Sequence, residues 1–365
     1  MSARQPGVAY DGSFVPSVQG LRAIAALSVL MDHFYDMPKG GVYDIPNPGF
    51  LPPLWPWLQS VINVGGHGVE LFFMISGFLI PASLVRHRSL GRFFFDRLLR
   101  IMPVFLVLHV ALFVIGPIVG YKFFRGIDVG SYLAIFTANL FFLQDAVGLP
   151  IAQQNAWTLT YEWAFYIWFA LTFVALRFGG RLMAAPLVLL GLACMLHWPI
   201  TAFFCIGMFF SATGFRLPVS GWMGAVAGLV CGVAMYACLV LFHPFVALVP
   251  GFLLFGMVLA PRSGIGNLLS APPLQYVGKI SYSLYLVHPF VLFPLQMIGL
   301  KLVGMGFDRW LLWSAFIGLG LVMSLVASAI SYELIEVRLR RLLDGALRGP
   351  LFGSLGGKME HSVSS

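Results

Sequence analysis

Eleven apolar runs divide this chain, at about 18–37, 61–85, 101–120, 131–145, 157–176, 182–196, 199–215, 220–242, 245–261, 280–300 and 312–336. A helix needs roughly 20 residues to cross about 30 Å of hydrocarbon, and most of these runs are near that length. In lipid every backbone amide must find its partner within the protein, so repeated apolar runs leave helices as the economical way to fold. The residues are 59% hydrophobic and only 10% charged, too little charge to clothe a water-facing surface. Disordered, collagen-like, disulfide-scaffold and ordinary cytosolic classes are excluded on the same ground. The expected fold is an all-α, polytopic integral membrane bundle.

The net charge of +8 would raise the question of nucleic acid in a soluble protein. Here the Lys and Arg residues sit between apolar runs, where they read as topology signals and lipid headgroup contacts, so no nucleic-acid partner is expected. The four cysteines, Cys194, Cys205, Cys231 and Cys238, lie inside apolar runs without ligand-like spacing and read as buried thiols. No cleavable leader is expected, because the first apolar stretch meets Asp32 and His33 where small residues would be needed.

The run at 131–145 is the shortest and contains Thr137 and Asn139. If it does not span, 17 of the 22 Lys and Arg residues fall on the cytoplasmic side; if it does, only 9 do. The positive-inside bias therefore predicts ten transmembrane helices, one re-entrant or interfacial segment, and both termini in the cytoplasm. Re-entrant backbone survives only where it is buried in protein or borders a wet cavity, which places this segment near a site. The organisation expected is a cytoplasmic segment at 1–17, a membrane domain at 18–342 and a flexible cytoplasmic tail at 343–365.

Ionisable side chains at membrane depth are costly, so each is a functional candidate. Arg22 and His33 are eleven residues apart in the first run, within roughly 20° on one helical face and about 16 Å apart along the axis. With Arg22 at the inner boundary, His33 should lie in the outer half, beside Asp32. At the start of the second run, His67 and Glu70 are one turn apart, beside two Gly pairs that loosen the helix end. They read as a hydrogen-bonded pair that orients a partner, and no metal is assigned to them. Glu162 follows Trp157 about one turn into the fifth run, among aromatic residues that would suit an interfacial belt. In the tenth run, Ser281, Tyr285 and His288 form a polar stripe, and Pro289 should kink the helix beside His288. Between the second and third runs, Arg97 and Arg100 are one turn apart at the inner boundary and suit bidentate capture of phosphate.

Six segments in order carry a resemblance to a known family. They are Gln19-Gly-Leu-Arg22 with His33 beyond it, Gly68-Val-Glu70 through Ser76-Gly77-Phe78, Arg97-Leu-Leu-Arg100-Ile-Met-Pro103, Trp157-Thr-Leu-Thr-Tyr-Glu162, Gly278-Lys279-Ile-Ser281 through His288, and Tyr332 through Glu336. Along almost its whole length the chain resembles the membrane acyltransferase-3 family, the O-acyltransferases of bacterial surface saccharides. Two positions depart from the family pattern: Thr158 stands where serine is usual, and Glu333 where a basic residue is usual.

The resemblance implies transfer of an acyl group, most often acetyl, from cytoplasmic acyl-coenzyme A to a hydroxyl of a sugar in a surface polysaccharide or glycolipid. It also implies a place in the bacterial cytoplasmic (inner) membrane. Acyl-coenzyme A is then a donor substrate, and no permanently bound cofactor is expected. Arg22, Arg97, Arg100 and Lys279 are the expected donor-binding residues. His33 is the expected general base, with Asp32 or Glu162 orienting its ring; an acyl-enzyme on His33 is the other mechanism these residues permit. His67, Glu70, Asn139, Trp157, Ser281, Tyr285 and His288 are expected on the acceptor side, and Ser281, Tyr285 or Asn139 could hold the oxyanion. The competing class is a transporter or flippase of a lipid-linked saccharide, which would also need buried His, Glu and Arg along a path, but the two halves show no inverted repeat.

Overall fold

The structure is a computed structural model in which residues 9–39, 49–87 and 89–352 are described. Among these residues the chain is helix joined by turns, with no strand beyond one bridge between Ser220 and Ser263. Helix α1 (Pro16–Asp36) opens with a proline in its first turn, where no intrahelical amide bond is lost. After α2 (Pro56–Asn63), the Gly-rich segment Val64–His67 winds as a tight 3-10 turn into α3 (Gly68–His87). Helix α4 (Leu90–Val119) stops at Gly120, whose φ of 63° suits glycine. Asp128 caps α5 (Val129–Leu140) by accepting the Ser131 amide at 3.0 Å. There follow α6 (Trp157–His197), α7 (Phe203–Thr213), α8 (Gly221–Leu241), α9 (Pro244–Val258), and the short α10 (Gly264–Leu269) and α11 (Pro272–Lys279). The chain ends in α12 (Ser281–Gly304), α13 (Arg309–Ser331), a π-helical stretch at Tyr332–Leu339, and α14 (Arg340–Phe352).

Each of the eleven apolar runs falls mainly in helix, the run at 131–145 only as far as Leu140. Among the described residues, six helical stretches are long and apolar enough to cross a membrane, and three shorter apolar helices accompany them. The runs at 157–176 and 182–196 lie in α6, which folds back on itself. Gly180 has φ 68° and ψ −162°, a conformation that glycine tolerates, and Trp168 Nε1 donates to Leu187 O at 2.7 Å across the turn. Gly191 also lies against the Trp168 ring, so the two halves are antiparallel. Helix α5 has 12 residues, about 18 Å of rise, which is shorter than the hydrocarbon layer.

Helix α1 is the centre of the bundle and packs against α3, α10, α11, α12 and α13. Close approach is set by glycines: a Cβ on Gly20 would lie 1.8 Å from Leu269 O, and one on Gly278 would lie 2.0 Å from Gln19 O. The extensive α3–α7 contact works the same way through Gly77 and Gly207. Helix α8 instead presents an apolar outer face, with Val233 70% exposed, as lipid contact requires.

The segment from 343, expected to be loose, is helical as far as Phe352. Its amphipathic helix is fastened to α4, because Arg348 Nη2 donates to Asp96 Oδ1 at 2.7 Å and the Phe352 ring meets Phe95 edge-on. The remainder of that expected tail, at 353–365, and the first eight residues of the N-terminal segment lie outside the described residues.

Candidate active site

The bundle encloses a cavity bordered by Arg22 of α1, Arg97 and Arg100 of α4, Glu162 and Tyr166 of α6, and Tyr285 of α12. Three guanidinium groups thus converge, and among the described residues none has a carboxylate within 4 Å. Arg22 Nε donates to Ser281 Oγ at 3.1 Å, and Arg97 Nε is buried with no hydrogen-bond partner among the described residues. Glu162 and Glu336 interact with Arg22 at longer range. Glu162 is held by Ser76, whose hydroxyl donates at 3.1 Å, and by a short hydrogen bond from Tyr166. Glu336 accepts the Ser283 amide at 3.1 Å and the Ser283 hydroxyl. A low-dielectric wall around three cations and two carboxylates leaves a positive excess, the arrangement that attracts an anion. The cavity has a volume of about 80 Å3.

Further along α1, His33 leaves the bundle interior only partly covered, and its Nδ1 lies 2.7 Å from Nε2 of His288, which is fully buried. His288 Nδ1 is 2.6 Å from Leu284 O, one turn earlier on α12. Pro289 shapes this corner. Lacking an amide hydrogen, it cannot bond Tyr285 O four residues earlier, and Asn155 Nδ2 takes that carbonyl instead at 2.7 Å. The same Asn155 nitrogen lies 3.3 Å from His288 Nε2. Helix α12 continues through Pro289; the freed carbonyl captures a neighbour. Thr158 Oγ1, which donates to Asn155 O at 3.1 Å, also meets the Tyr285 hydroxyl at 3.0 Å. Tyr285 and Thr158 border the cavity, whereas His33 and His288 lie just beyond its lining.

The other residues singled out from the sequence fall in distinct places. Asp32 and Glu162, the two expected partners of the His33 ring, face elsewhere: Asp32 lies against Gly66, a Cβ on which would sit 3.2 Å from its Oδ2, and Glu162 faces Ser76 and Tyr166. His67 Nδ1 is 2.9 Å from Glu70 Oε1, and Glu70 is buried with its second oxygen unpartnered among the described residues. Both N–H groups of Asn139 are occupied, because it donates to Ile135 O and Pro150 O, and it accepts the Ala152 amide, each at 2.9 Å. It therefore fastens the return of the chain after α5. Trp157 packs edge-on to Tyr161. Lys279 is exposed at the end of α11, with its ammonium 4.9 Å from the Tyr332 ring centre, and does not border the cavity.

Asn155, Ser76, Tyr166 and Glu336 carry contacts that sequence reasoning had not assigned to the site. Pro289 hinted at Asn155, since a proline within a helix leaves one carbonyl without its usual donor, and Ser76 and Glu336 lie in segments that carry the family resemblance. Tyr166 is one turn from Glu162 and shares its helical face.

These features define a polytopic helical membrane protein with a cationic cavity at one end and a partly open imidazole beyond the other. The chain belongs to the acyltransferase-3 family: the family model described as an acyltransferase domain matches residues 15–332. It is 24% identical to the peptidoglycan O-acetyltransferase OatA of Listeria monocytogenes over 91% of this chain and 57% of that protein. It is 29% identical to the exopolysaccharide production protein ExoZ of Rhizobium meliloti, over 78% of this chain and 90% of that one. The O-acetyltransferase OatA of Staphylococcus aureus is 26% identical over 78% of this chain and 52% of its own length. The chain thus spans about half the length of the OatA relatives. No solved structure matches it.

Proposed function

We propose that this protein transfers an acyl group, in the first instance acetyl, from acyl-coenzyme A to a hydroxyl of a sugar in a surface polysaccharide or glycolipid. The observation that carries this reading is the set of guanidiniums of Arg22, Arg97 and Arg100 around one cavity, without ion-pair partners among the described residues. Buried cations left unpaired are costly unless an anion completes them. Phosphate groups of a nucleotide-bearing donor would do so from the cytoplasmic side, with the slender pantetheine arm inside the cavity. Membership of the family, and relatives whose names specify O-acetyl transfer, support the same chemistry.

In this reading ten helices span the inner membrane, α5 is re-entrant, and both termini are cytoplasmic. His33 acts from the outer half. Its Nε2 accepts the proton of the acceptor hydroxyl while the oxygen attacks the thioester carbonyl carbon. The carbon–sulfur bond breaks, and the departing thiolate takes the proton from His33, leaving the ester, free coenzyme A and a neutral imidazole. The acceptor would lie on the outer side, where Asp32, His67 and Glu70 offer polar groups to sugar hydroxyls.

Radiolabelled acetyl-coenzyme A and isolated cell-surface glycan, incubated with purified protein in detergent, test this. Label should move to glycan in the wild type and not in His33→Ala. A transporter has no compartments to work between under these conditions, so absence of transfer across a panel of saccharide acceptors would favour the transport class.

A further inference from the structure

We infer that His288, with Asn155 behind it, is a positioning residue that fixes the tautomer of His33 so that Nε2, and not Nδ1, carries the free lone pair. This rests on the general-base reading of His33 and adds to it how the base is held ready.

The argument runs along the hydrogen bonds from the protein outward. Leu284 O can only accept, so His288 Nδ1, 2.6 Å away, carries a hydrogen. In a neutral imidazole the other nitrogen is then an acceptor, which makes His288 Nε2 a lone pair. Asn155 gives an independent check. Its nitrogen is identified by the Tyr285 carbonyl at 2.7 Å, which requires a donor, and the same nitrogen lies 3.3 Å from His288 Nε2. A hydrogen on that Nε2 would point one donor at another. His33 Nδ1, 2.7 Å from the same Nε2, must therefore donate, and its own Nε2 is left unprotonated. No described residue bonds that Nε2, and the His33 side chain is only partly covered.

In many hydrolases a carboxylate holds the catalytic imidazole in its working tautomer. Here a second, neutral imidazole does this, and its burial among helices adds no net charge to the bundle. When His33 becomes cationic, its Nδ1–H bond to His288 Nε2 strengthens, because the donor is now charged. That difference favours the charged intermediate over the resting state, which is what a catalytic interaction must do. The device is written around Pro289, whose missing amide frees the Tyr285 carbonyl that holds Asn155.

The test compares His288→Gln with His288→Leu in purified, folded protein, measuring kcat and the KM for acetyl-coenzyme A. A glutamine amide oxygen can take the place of Nε2 and accept from His33, whereas leucine cannot. His288→Leu should lose about 100-fold or more in kcat with KM unchanged, and His288→Gln should stay within about tenfold of wild type. Equal losses in the two variants, or no loss in His288→Leu, would overturn the inference. If His288→Leu fails to elute as folded protein, His288→Ala, which also lacks an acceptor for His33, takes its place in the comparison: a kcat loss of about 100-fold or more at constant KM supports the relay, and an unchanged kcat refutes it. Turnover surviving in His33→Ala would sink the general-base reading itself, whereas an inactive His33→Ala beside a wild-type His288→Leu would sink only the relay.

Discussion

His33 of α1 and His288 of α12 meet nitrogen to nitrogen at 2.7 Å, across 255 residues of chain. The contact joins the central helix of the bundle to the helix that carries the polar stripe, and it lies beyond the Tyr285 end of the cationic cavity. Removing the imidazole of His33 should lower kcat by about 100-fold or more, the usual worth of a general base, and leave acetyl-coenzyme A binding intact. Transfer assays and calorimetric titration with coenzyme A, run on the same His33→Ala preparation, separate the two effects.

Arg97 and Arg100 should matter for binding. Each charge-assisted hydrogen bond to phosphate contributes about 1.5–3 kcal/mol, so Arg97→Ala and Arg100→Ala should each raise the Kd for coenzyme A by about tenfold or more. Affinity in the wild type should also fall as salt is raised, since part of the attraction is screened. If neither variant changes the Kd, these arginines belong to the lipid interface.

Glu336 tempers the same cavity. Glu336→Gln keeps an acceptor for Ser283 while removing the negative charge that Arg22 and Arg100 feel. Coenzyme A should bind this variant several-fold more tightly at low ionic strength, with little change in thermal stability. Equal affinity in the two proteins would show that the carboxylate is not felt at the donor site.

The α3–α7 seam should not tolerate a single methyl group. A Cβ on Gly77 would sit 2.1 Å from Phe204 O, and one on Gly207 would sit 2.0 Å from Met74 O, both against backbone that cannot move aside. Gly77→Ala and Gly207→Ala should each cost about 1–3 kcal/mol, visible as a lower melting temperature in detergent. Wild-type melting in both would mean the helices are farther apart than described.

Single cysteines in a cysteine-free background can check the ten-span arrangement. Met305, exposed between α12 and α13, should react with an impermeant maleimide in intact cells. Leu268, exposed on α10, should react only after the membrane is opened. The reverse pattern would invert the proposed topology and place the arginines outside.

Much of the fold was legible without coordinates. Apolar length and charge placement identified eleven helical segments, and the turn at Gly180 follows from the Arg-Phe-Gly-Gly-Arg break between two of them. Helical spacing also put Arg22 and His33 on one face, and Ser281, Tyr285 and His288 on another. The helix at 340–352 was missed although its amphipathic pattern is a local signal, and its contacts with Asp96 and Phe95 of α4 are tertiary.

The candidate site was legible only as separate stripes. Local sequence determined the helices and their polar faces, because the lipid requirement to bond every amide within the segment acts on each run alone. Which stripes face each other was decided by tertiary packing, through glycines that let α1 approach its neighbours and through the carbonyl that Pro289 leaves free for Asn155. A ring nitrogen finds its partner by distance in space, and a spacing of 255 residues carries no periodic signal of that contact. For this reason the sequence identified His33 and His288 individually, and only the folded bundle joined them.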